Sequence, residues 1–343
     1  MNDRAKWLIV AGVAVVALGT TALIGVSAWA QHQAVAAQPG AATRDSAEWA
    51  SGARIVFRNT ASGADYGHVA SVPTSAPDGP RAVAGVACDR VDAADETFVC
   101  LRTERGIVPA YSATLYSDEQ VALEEWSLSG IPSRTRISDN GERMATTAFV
   151  TGHSYGGVGF STETRIRTQD GGDLGSLEEW ALTVDGEPAV PVDRNFWGVT
   201  FAGGNTFYAT AGLTLSGQTY LVEGDIAART LTAIAPDVEC PALSPDGTRI
   251  AFKSKTSGAG AMAHWAPAII DLATGEVRVL PEARNVDDQI EWLDDGTILY
   301  GMPRQGRAGD YDVWALDADG SGEPRLLIPH AWSPSVVETG GAG

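Results

Sequence analysis

The sequence predicts an all-β fold: a six-bladed β-propeller of four-stranded antiparallel blades, preceded by one N-terminal hydrophobic helix. A strand–turn–strand unit recurs along the chain with turn centres 42 to 64 residues apart, a spacing typical of four-stranded blades. Long amphipathic helical patterns are absent after residue 30, which disfavours a doubly wound α/β fold. The 39 Gly and 10 Trp residues suit a chain with many turns and large packing side chains.

The clearest repeat unit is PALSPDGTRIAFKS, Pro241 to Ser254. Two short runs of β-forming residues flank Ser-Pro-Asp-Gly, and Asp-Gly favours the tight turn of a hairpin. Similar units recur at Val86–Arg102, Thr135–Val150, Val199–Ala211 and Ile290–Gly301. A second pair of strand-like runs follows several units, as AIIDLATGEVRVL follows the unit at Pro241. Two hairpins per repeat make one four-stranded blade.

The two ends of the repeat region complement each other. ARIVFRN, Ala53 to Asn59, aligns with the second strand of a blade and has no first strand before it. HAWSPSVV, His330 to Val337, resembles a first strand and has no second strand after it. We therefore expect both ends to share one blade, which closes the ring and removes two exposed sheet edges. Counting this blade gives six; the long interval between residues 140 and 204 leaves room for a seventh, or for one blade with a long inner loop.

The N-terminal segment indicates where the protein resides. Arg4 and Lys6 precede an uncharged apolar run, residues 7–29, long enough to cross a bilayer at about 1.5 Å per helical residue. The positive-inside rule places everything after residue 30 outside the cytoplasm. Ala28-Trp29-Ala30 also fits a signal-peptidase site, so we expect either a cell-membrane protein with a single N-terminal anchor or a protein secreted after cleavage near Ala30.

These features divide the chain into four parts. They are a signal peptide or membrane anchor (1–30), a flexible tether (31–52), the β-propeller (53–337) and a disordered tail (338–343). The net charge of -19 and the pI near 4.5 make nucleic acid an unfavourable partner, because an acidic surface repels phosphates. We expect a monomer with no cofactor and no metal, since neither the cysteines nor the five histidines have metal-ligand spacing.

The unit LSPDGTRIAF, with its weaker copies, resembles the Pro-Asp-type, WD-like repeats of the TolB family of β-propellers, particularly TolB-like exported proteins of high-GC Gram-positive bacteria. The resemblance covers residues 53 to 337, and its copies are poorer in the first half. It implies a six-bladed propeller and export. TolB itself has an N-terminal α/β domain and outer-membrane partners. Only a short tether precedes the propeller here, so the resemblance does not extend to TolB's own role.

Two of the three cysteines form a candidate disulfide. Cys88 and Cys100 lie symmetrically about a turn predicted at Ala93-Ala94, and such positions face each other across a hairpin. Disulfides persist outside the cytoplasm, although two free buried thiols are the alternative. Cys240 occupies the same blade position as Cys88 and lacks a matching partner, so we expect it to be buried and unreactive.

Two motifs suggest chemistry but also have structural interpretations. Gly152-His153-Ser154-Tyr155-Gly156 matches the G-x-S-x-G nucleophile elbow of hydrolases. No helix pattern follows it, so we interpret it as a loop between two strands. The segment 317–323 resembles the start of a calcium loop but lacks the full ligand pattern, and it fits a turn between outer strands.

The remaining candidates are binding residues. Phe196 and Trp197 fall where we expect a blade-entry loop, and aromatic side chains in loops are frequent binding hot spots. Tyr155 lies in the predicted loop on one propeller face. Asp287 and Asp288 belong to an acidic cluster near one blade's entry, which would either form a solvated acidic rim or line the axial channel and attract cations or basic peptides. We expect an envelope-anchored, non-catalytic platform for a protein or cell-wall partner; the alternatives are a hydrolase or lyase with its site in the channel and a sensor subunit of a membrane system.

Overall fold

The structure, a computed structural model, describes residues 3–36, 40–94, 96–150, 161–189, 194–213 and 216–338. One long helix precedes 26 strands: α1 (Asp3–Ala36), β1 (Arg54–Asn59), β2 (His68–Pro73), β3 (Ala82–Ala87), β4 (Arg90–Ala94), β5 (Thr97–Glu104), β6 (Ala110–Ser117), β7 (Ala122–Ser127), β8 (Ile131–Ile137), β9 (Arg143–Val150), β10 (Ser161–Thr168), β11 (Asp173–Ser176), β12 (Ala181–Val184), β13 (Glu187–Ala189), β14 (Arg194–Phe201), β15 (Thr206–Leu213), β16 (Gln218–Asp225), β17 (Thr230–Pro236), β18 (Glu239–Leu243), β19 (Arg249–Ser257), β20 (His264–Asp271), β21 (Val277–Val279), β22 (Ile290–Asp294), β23 (Thr297–Pro303), β24 (Tyr311–Asp317), β25 (Arg325–Ile328) and β26 (Ala331–Val337). Single 3₁₀ turns lie at Ser46–Glu48, Leu177–Glu179 and Gly260–Met262.

The strands form six sheets around a ring, which confirms the predicted six-bladed all-β propeller with one N-terminal helix. From the axis outwards, blades 1 to 6 are β26-β1-β2-β3, β4–β7, β8–β11, β14–β17, β18–β21 and β22–β25. Each repeat unit identified in the sequence is the inner hairpin of one blade. Neighbouring innermost strands are in contact all the way round the ring.

The ring closes in blade 1, as the two chain ends predict. β26 pairs antiparallel with β1, with Arg54 opposite Val337 and Asn59 opposite Ala331. Hydroxyl groups of β26 extend the closure to blade 2, because Ser335 Oγ accepts a hydrogen bond from the Ala93 N–H at 2.9 Å. The innermost and second strands of blade 1 thus come from opposite ends of the chain.

The long interval between residues 140 and 204 contains three strands of blade 3, an additional hairpin and the first strand of blade 4. β12 and β13 extend blade 4 to six strands, with β12 parallel to β17. Leu182 and the preceding Trp180 are buried in the core there, and Trp180 packs edge-on against Phe207 with ring centroids 5.8 Å apart. A seventh blade is absent from the described residues, because this apolar segment covers the outer edge of an existing sheet.

The described part of the predicted tether, residues 40–52, packs on the propeller instead of hanging free. Trp49 is 3% exposed, and its ring meets Phe98 edge-on at 5.1 Å. Its Nε1–H donates to the Asp118 carbonyl at 2.7 Å. Burial of this large aromatic side chain between two blades offsets part of the entropy that the segment loses by ordering.

The Sγ atoms of Cys88 and Cys100 are bonded at 2.05 Å. The hairpin turn lies later than predicted, since Ala94 pairs with Thr97 and Cys100 stands opposite Val91. Cys88 therefore reaches Cys100 from the connection that precedes β4. Cys240 is free and buried.

The double variant Cys88→Ala, Cys100→Ala is expected to lose about 3 kcal/mol of unfolding free energy, because the disulfide restricts the unfolded chain. Urea denaturation with and without reductant measures this loss. Reductant should destabilise the natural protein and leave the double variant unchanged, and Cys240→Ala should keep the natural protein's sensitivity. Equal sensitivity of the double variant to reductant would contradict the prediction.

Candidate functional site

Polar and charged side chains of the innermost strands fill the axial channel. The contributing strands include β4 of blade 2, β8 of blade 3 and β22 of blade 6. Charged residues alternate with apolar ones along them, so that one set faces the axis while the other packs between blades. Asp92, Arg136 and Glu291 are the charged residues at the middle of the channel.

Arg136 crosses the channel. Blades 3 and 6 lie opposite each other in the ring, and the Arg136 guanidinium forms an ion pair with Glu291 of blade 6. It also donates to the Ile290 carbonyl at 3.1 Å and lies 3.4 Å from Asp92 of blade 2. Gln289 Nε2 makes a second contact across the ring, to the Thr135 carbonyl at 3.3 Å. These contacts close the channel and connect three blades.

Burial perturbs both carboxyls of this cluster. Desolvation raises the pKa of Asp92 to about 7, although the Arg136 charge and the Ile137 N–H oppose the shift. Desolvation likewise raises the pKa of Glu291. Asp139 lies close enough to add to this effect, because a nearby like charge disfavours ionisation. The cluster shares one arginine between two carboxyls.

A second cluster lies at the mouth of the channel, where the blades are connected. Asp288 is 3% exposed and accepts hydrogen bonds from Arg90 Nη1 and Trp332 Nε1, both at 2.9 Å. The Trp332 ring stacks on the Tyr311 ring with centroids 4.4 Å apart. The Arg90 guanidinium lies over the Trp332 ring, 3.8 Å from the centroid of that ring. Gly301 permits this packing, since a Cβ there would lie 2.4 Å from Asp288 Oδ2.

The acidic residues predicted for the channel have different surroundings. Asp288 is buried in the cluster just described, where it joins blades 2, 6 and 1. Asp287 is exposed, and its carboxylate forms an ion pair with the buried Lys253 of blade 5. Burial works against ionisation of Asp287, but the charge and hydrogen bond of Lys253 outweigh it and lower the pKa of this carboxyl.

The aromatic candidates lie in a strand and not in a loop. Phe196 and Trp197 belong to β14, the innermost strand of blade 4. Phe196 has no exposed surface and packs in the core with Phe207, so it cannot reach a ligand. Trp197 is partly buried, and its ring lies over Gly212, where a Cβ would come within 2.6 Å. Tyr155 and the G-x-S-x-G segment lie outside the described residues.

Sequence reasoning missed the channel residues Arg90, Asp92 and Arg136. Their only local signal is a charge at alternate positions of short strands, Arg90-Val-Asp92 and Arg134-Thr-Arg136. The same pattern is typical of strands with one solvated face. The segment 317–323 closes as a turn, with Asp319 accepting the Ser321 N–H at 2.8 Å and Asp317 paired with Arg325.

One face of the ring is strongly acidic. It is formed by the turns between the first and second strands and between the third and fourth strands of each blade, and we call it the acidic face. Each of the six turns between third and fourth strands carries an aspartate, namely Asp78, Asp118, Asp170, Asp225, Asp271 and Asp319. The inner turns of blades 3, 5 and 6 add further carboxylates, among them Asp139, Glu142 and Asp246.

A cleft of about 270 Å³ opens on the acidic face between blades 3 and 4. Its walls include Asp139, Asn140, Glu142 and Arg143 of blade 3, and Phe201 of blade 4. Arg143 donates hydrogen bonds to the turn of blade 4, at the Gly204 carbonyl and Asn205 Oδ1. The guanidinium is thereby held against one wall, while Asp139 and Glu142 stay exposed.

No known protein family matches the sequence, and no curated protein is similar to it. In fold, the chain is similar to a putative TolB from Agrobacterium tumefaciens (12% identity, 80% of this chain and 88% of that chain, TM-score 0.48). It is also similar to the β-propeller domain of the Trilobed protease from Pyrococcus furiosus (9%, 70% of each chain, 0.41). A puromycin-hydrolyzing peptidase from Mycobacterium tuberculosis aligns over 82% of this chain but only 44% of its own length (13%, 0.46). These similarities concern the propeller fold.

Proposed function

We propose that this chain is an exported β-propeller, held at the membrane by its N-terminal helix, that binds a partner protein and catalyses no reaction. The charge of the acidic face carries this proposal. Aspartates in equivalent turns of the blades place negative charge around the ring, although Arg54 neutralises Asp118 of blade 2. A rigid face of one charge attracts and orients a partner of the opposite charge.

The channel supports a platform rather than a hydrolase or lyase with its site on the axis. Arg136 is bonded to the opposite blade, so a substrate on the axis would have to displace buried ion pairs. Breaking such pairs costs several kcal/mol per unpaired buried charge. The ring is therefore better suited to hold its faces rigid than to admit a substrate.

The partner that fits the acidic face presents lysine or arginine side chains. The cleft between blades 3 and 4 has room for one such side chain, with the exposed carboxylates of Asp139 and Glu142 at its rim. Phe201 supplies an apolar wall for the aliphatic part of the side chain. Contacts of this kind steer association and weaken as salt screens them.

The double variant Asp139→Lys, Glu142→Lys tests the proposal. Affinity purification of the full chain from membranes after mild crosslinking should recover a partner with the natural chain. The double variant is expected to bind it at least about tenfold more weakly, since two reversed charges readily change binding by about 1.4 kcal/mol. Recovery by the natural chain should also fall as salt is raised during binding.

The matched control is Asp65→Lys, Glu104→Lys, which makes the same change of charge at exposed positions of the other face. This variant should retain the partner. Equal loss in both double variants would show that net charge alone matters, and equal retention in both would contradict binding at the acidic face.

A further inference from the structure

We infer that the face opposite the acidic face docks onto the outer surface of the membrane that α1 crosses, with its loop tips in the headgroup region. This face, the loop face, consists of the loops between second and third strands and the connections between blades. The inference rests on the anchoring part of the proposed function. It adds an interaction surface, with the lipid bilayer as its partner, and an orientation for the whole ring.

The path of the chain brings the loop face close to the membrane. The segment Gly12–Ala30 of α1 is long and apolar enough to span a bilayer, and none of it is buried against the propeller. The helix continues to Ala36, which adds roughly 9 Å at 1.5 Å per residue. The four steps from Ala36 to Gly40 reach at most about 14 Å. Gly40 lies beside the Ser62 carbonyl, in the loop between β1 and β2, so the chain meets the loop face before residues 42–44 pair with Arg81 just ahead of β3.

Exposed apolar side chains stand on the loop face in three blades. Ile107 and Val108 lie in the loop between β5 and β6 of blade 2 and are 106% and 82% exposed. Met262, 83% exposed, lies in the loop between β19 and β20 of blade 5. Ile131, at the start of β8, is 55% exposed. Loop tips with fully exposed aliphatic side chains gain free energy when they enter the interfacial region of a bilayer.

The charges of the two faces favour the same orientation. Arg102 and Arg105 flank the tip of the blade 2 loop, Lys255 lies near the end of β19 before the blade 5 loop, and Arg307 lies in the blade 6 loop, all exposed. Exposed Asp65, Glu104, Asp237 and Asp287 lie on the same face. Its exposed charges therefore roughly balance, and a negative bilayer surface repels it much less than it repels the acidic face. The acidic face carries the aspartates of all six blades, which such a surface repels. Among the described residues of its turns, Val121 is the one exposed large apolar side chain.

Depth-dependent quenching in proteoliposomes tests the inference with the full chain. Single cysteines are introduced at Val108 and Met262 on the loop face and, as matched controls, at Thr274 and Ser321 on the acidic face. Cys240 is buried and the other two cysteines are bonded, so an environment-sensitive fluorophore reacts with the introduced thiol. The vesicles contain anionic and zwitterionic lipids, with and without a nitroxide in the headgroup region.

We expect nitroxide lipids to quench the probes at 108 and 262 roughly threefold more than those at 274 and 321, because only the loop tips enter the interface. Ile107→Asp in the Val108→Cys chain should reduce that quenching. Equal quenching by nitroxide lipids at all four sites would overturn the inference. So would probes at 108 and 262 that aqueous iodide cannot reach but that nitroxide lipids do not quench, because protein and not lipid would then cover them. If the natural chain failed to float with the vesicles in a density gradient, the anchor itself would be refuted. This measurement separates failure of the proposed function from failure of the docking.

Discussion

Arg136→Met is expected to lower the unfolding free energy of the propeller by about 3 to 5 kcal/mol at pH 8, because it leaves two carboxyls without their counter-charge inside the ring. Asp92 is 2% exposed, and Glu291 loses the guanidinium that bridges to it from the opposite blade. Methionine fills much of the same volume, so the loss reports charge rather than a cavity. Urea denaturation followed by tryptophan fluorescence measures it.

The loss should shrink as the pH falls. Burial raises the pKa of Asp92 to about 7 and also raises that of Glu291, whereas the unfolded chain has ordinary values near 4. The folded state therefore binds protons more readily, and its stability falls as the pH rises between about 4 and 7. Without Arg136 the carboxyls hold their protons still more firmly. We expect the difference between variant and natural protein to be small at pH 4 and to reach its full size above pH 7.

The exposed pair Arg325–Asp317 provides the matched control. Arg325→Met should cost less than about 1 kcal/mol at either pH, since water solvates both charges. Adding Asp92→Asn and Glu291→Gln to Arg136→Met should restore most of the lost stability, because no buried charge remains. A cost for Arg136→Met no greater than that of the control would contradict a structural role for the channel cluster.

Removing residues 329–343 is expected to abolish the cooperative thermal transition. The deletion removes β26, which supplies the innermost strand of blade 1 and hydrogen bonds to blade 2. The edge of β1 would then be unpaired, and the hydrogen bond from Trp332 to Asp288, which joins blade 1 to the connection into blade 6, would be lost. Open edges promote association, so size-exclusion chromatography should show oligomers beside the broadened melting curve in circular dichroism.

Removal of residues 339–343 alone is the control for this truncation. It retains β26 in full and should leave both the melting temperature and the elution volume unchanged. If the longer deletion also melts cooperatively as a monomer, the ring does not depend on closure by the C-terminal strand.

Local signals in the sequence predict the blades. The Asp-Gly at Asp246 occupies the inner turn of blade 5, where Gly247 has a φ of +70° that glycine adopts without strain. The segments that begin at Ala53 and His330 pair because each has the residue pattern of one strand of an inner hairpin and lacks the partner strand beside it in the sequence. Such signals lie within a few residues of one another, so a single sequence is enough to detect them.

The candidate site was not predictable in this way. The sequence predicts a loop at Phe196 and Trp197, whereas both residues lie in β14 and the Phe196 side chain is buried in the core. Asp288 is likewise buried, and its partners Arg90 and Trp332 lie 198 and 44 positions away in the chain. No local pattern distinguishes an acidic residue at a solvated rim from one that is buried beside an arginine.

The repeat period, the hairpin turns and the unpaired strands at the two ends are properties of short segments, and they predict a propeller of about six blades and its ring closure. The uncharged apolar run at the N-terminus predicts the single long helix in the same local way. The ion pair of Arg136 with Glu291, the burial of Trp49 and the separation of charge between the two faces arise only when the ring has formed. The physical reason is distance along the chain: Arg136 and Glu291, which meet across the axis, lie 155 residues apart, and Arg90 and Asp288 lie 198 residues apart. The short segments that carry these residues each have the composition of an ordinary surface strand.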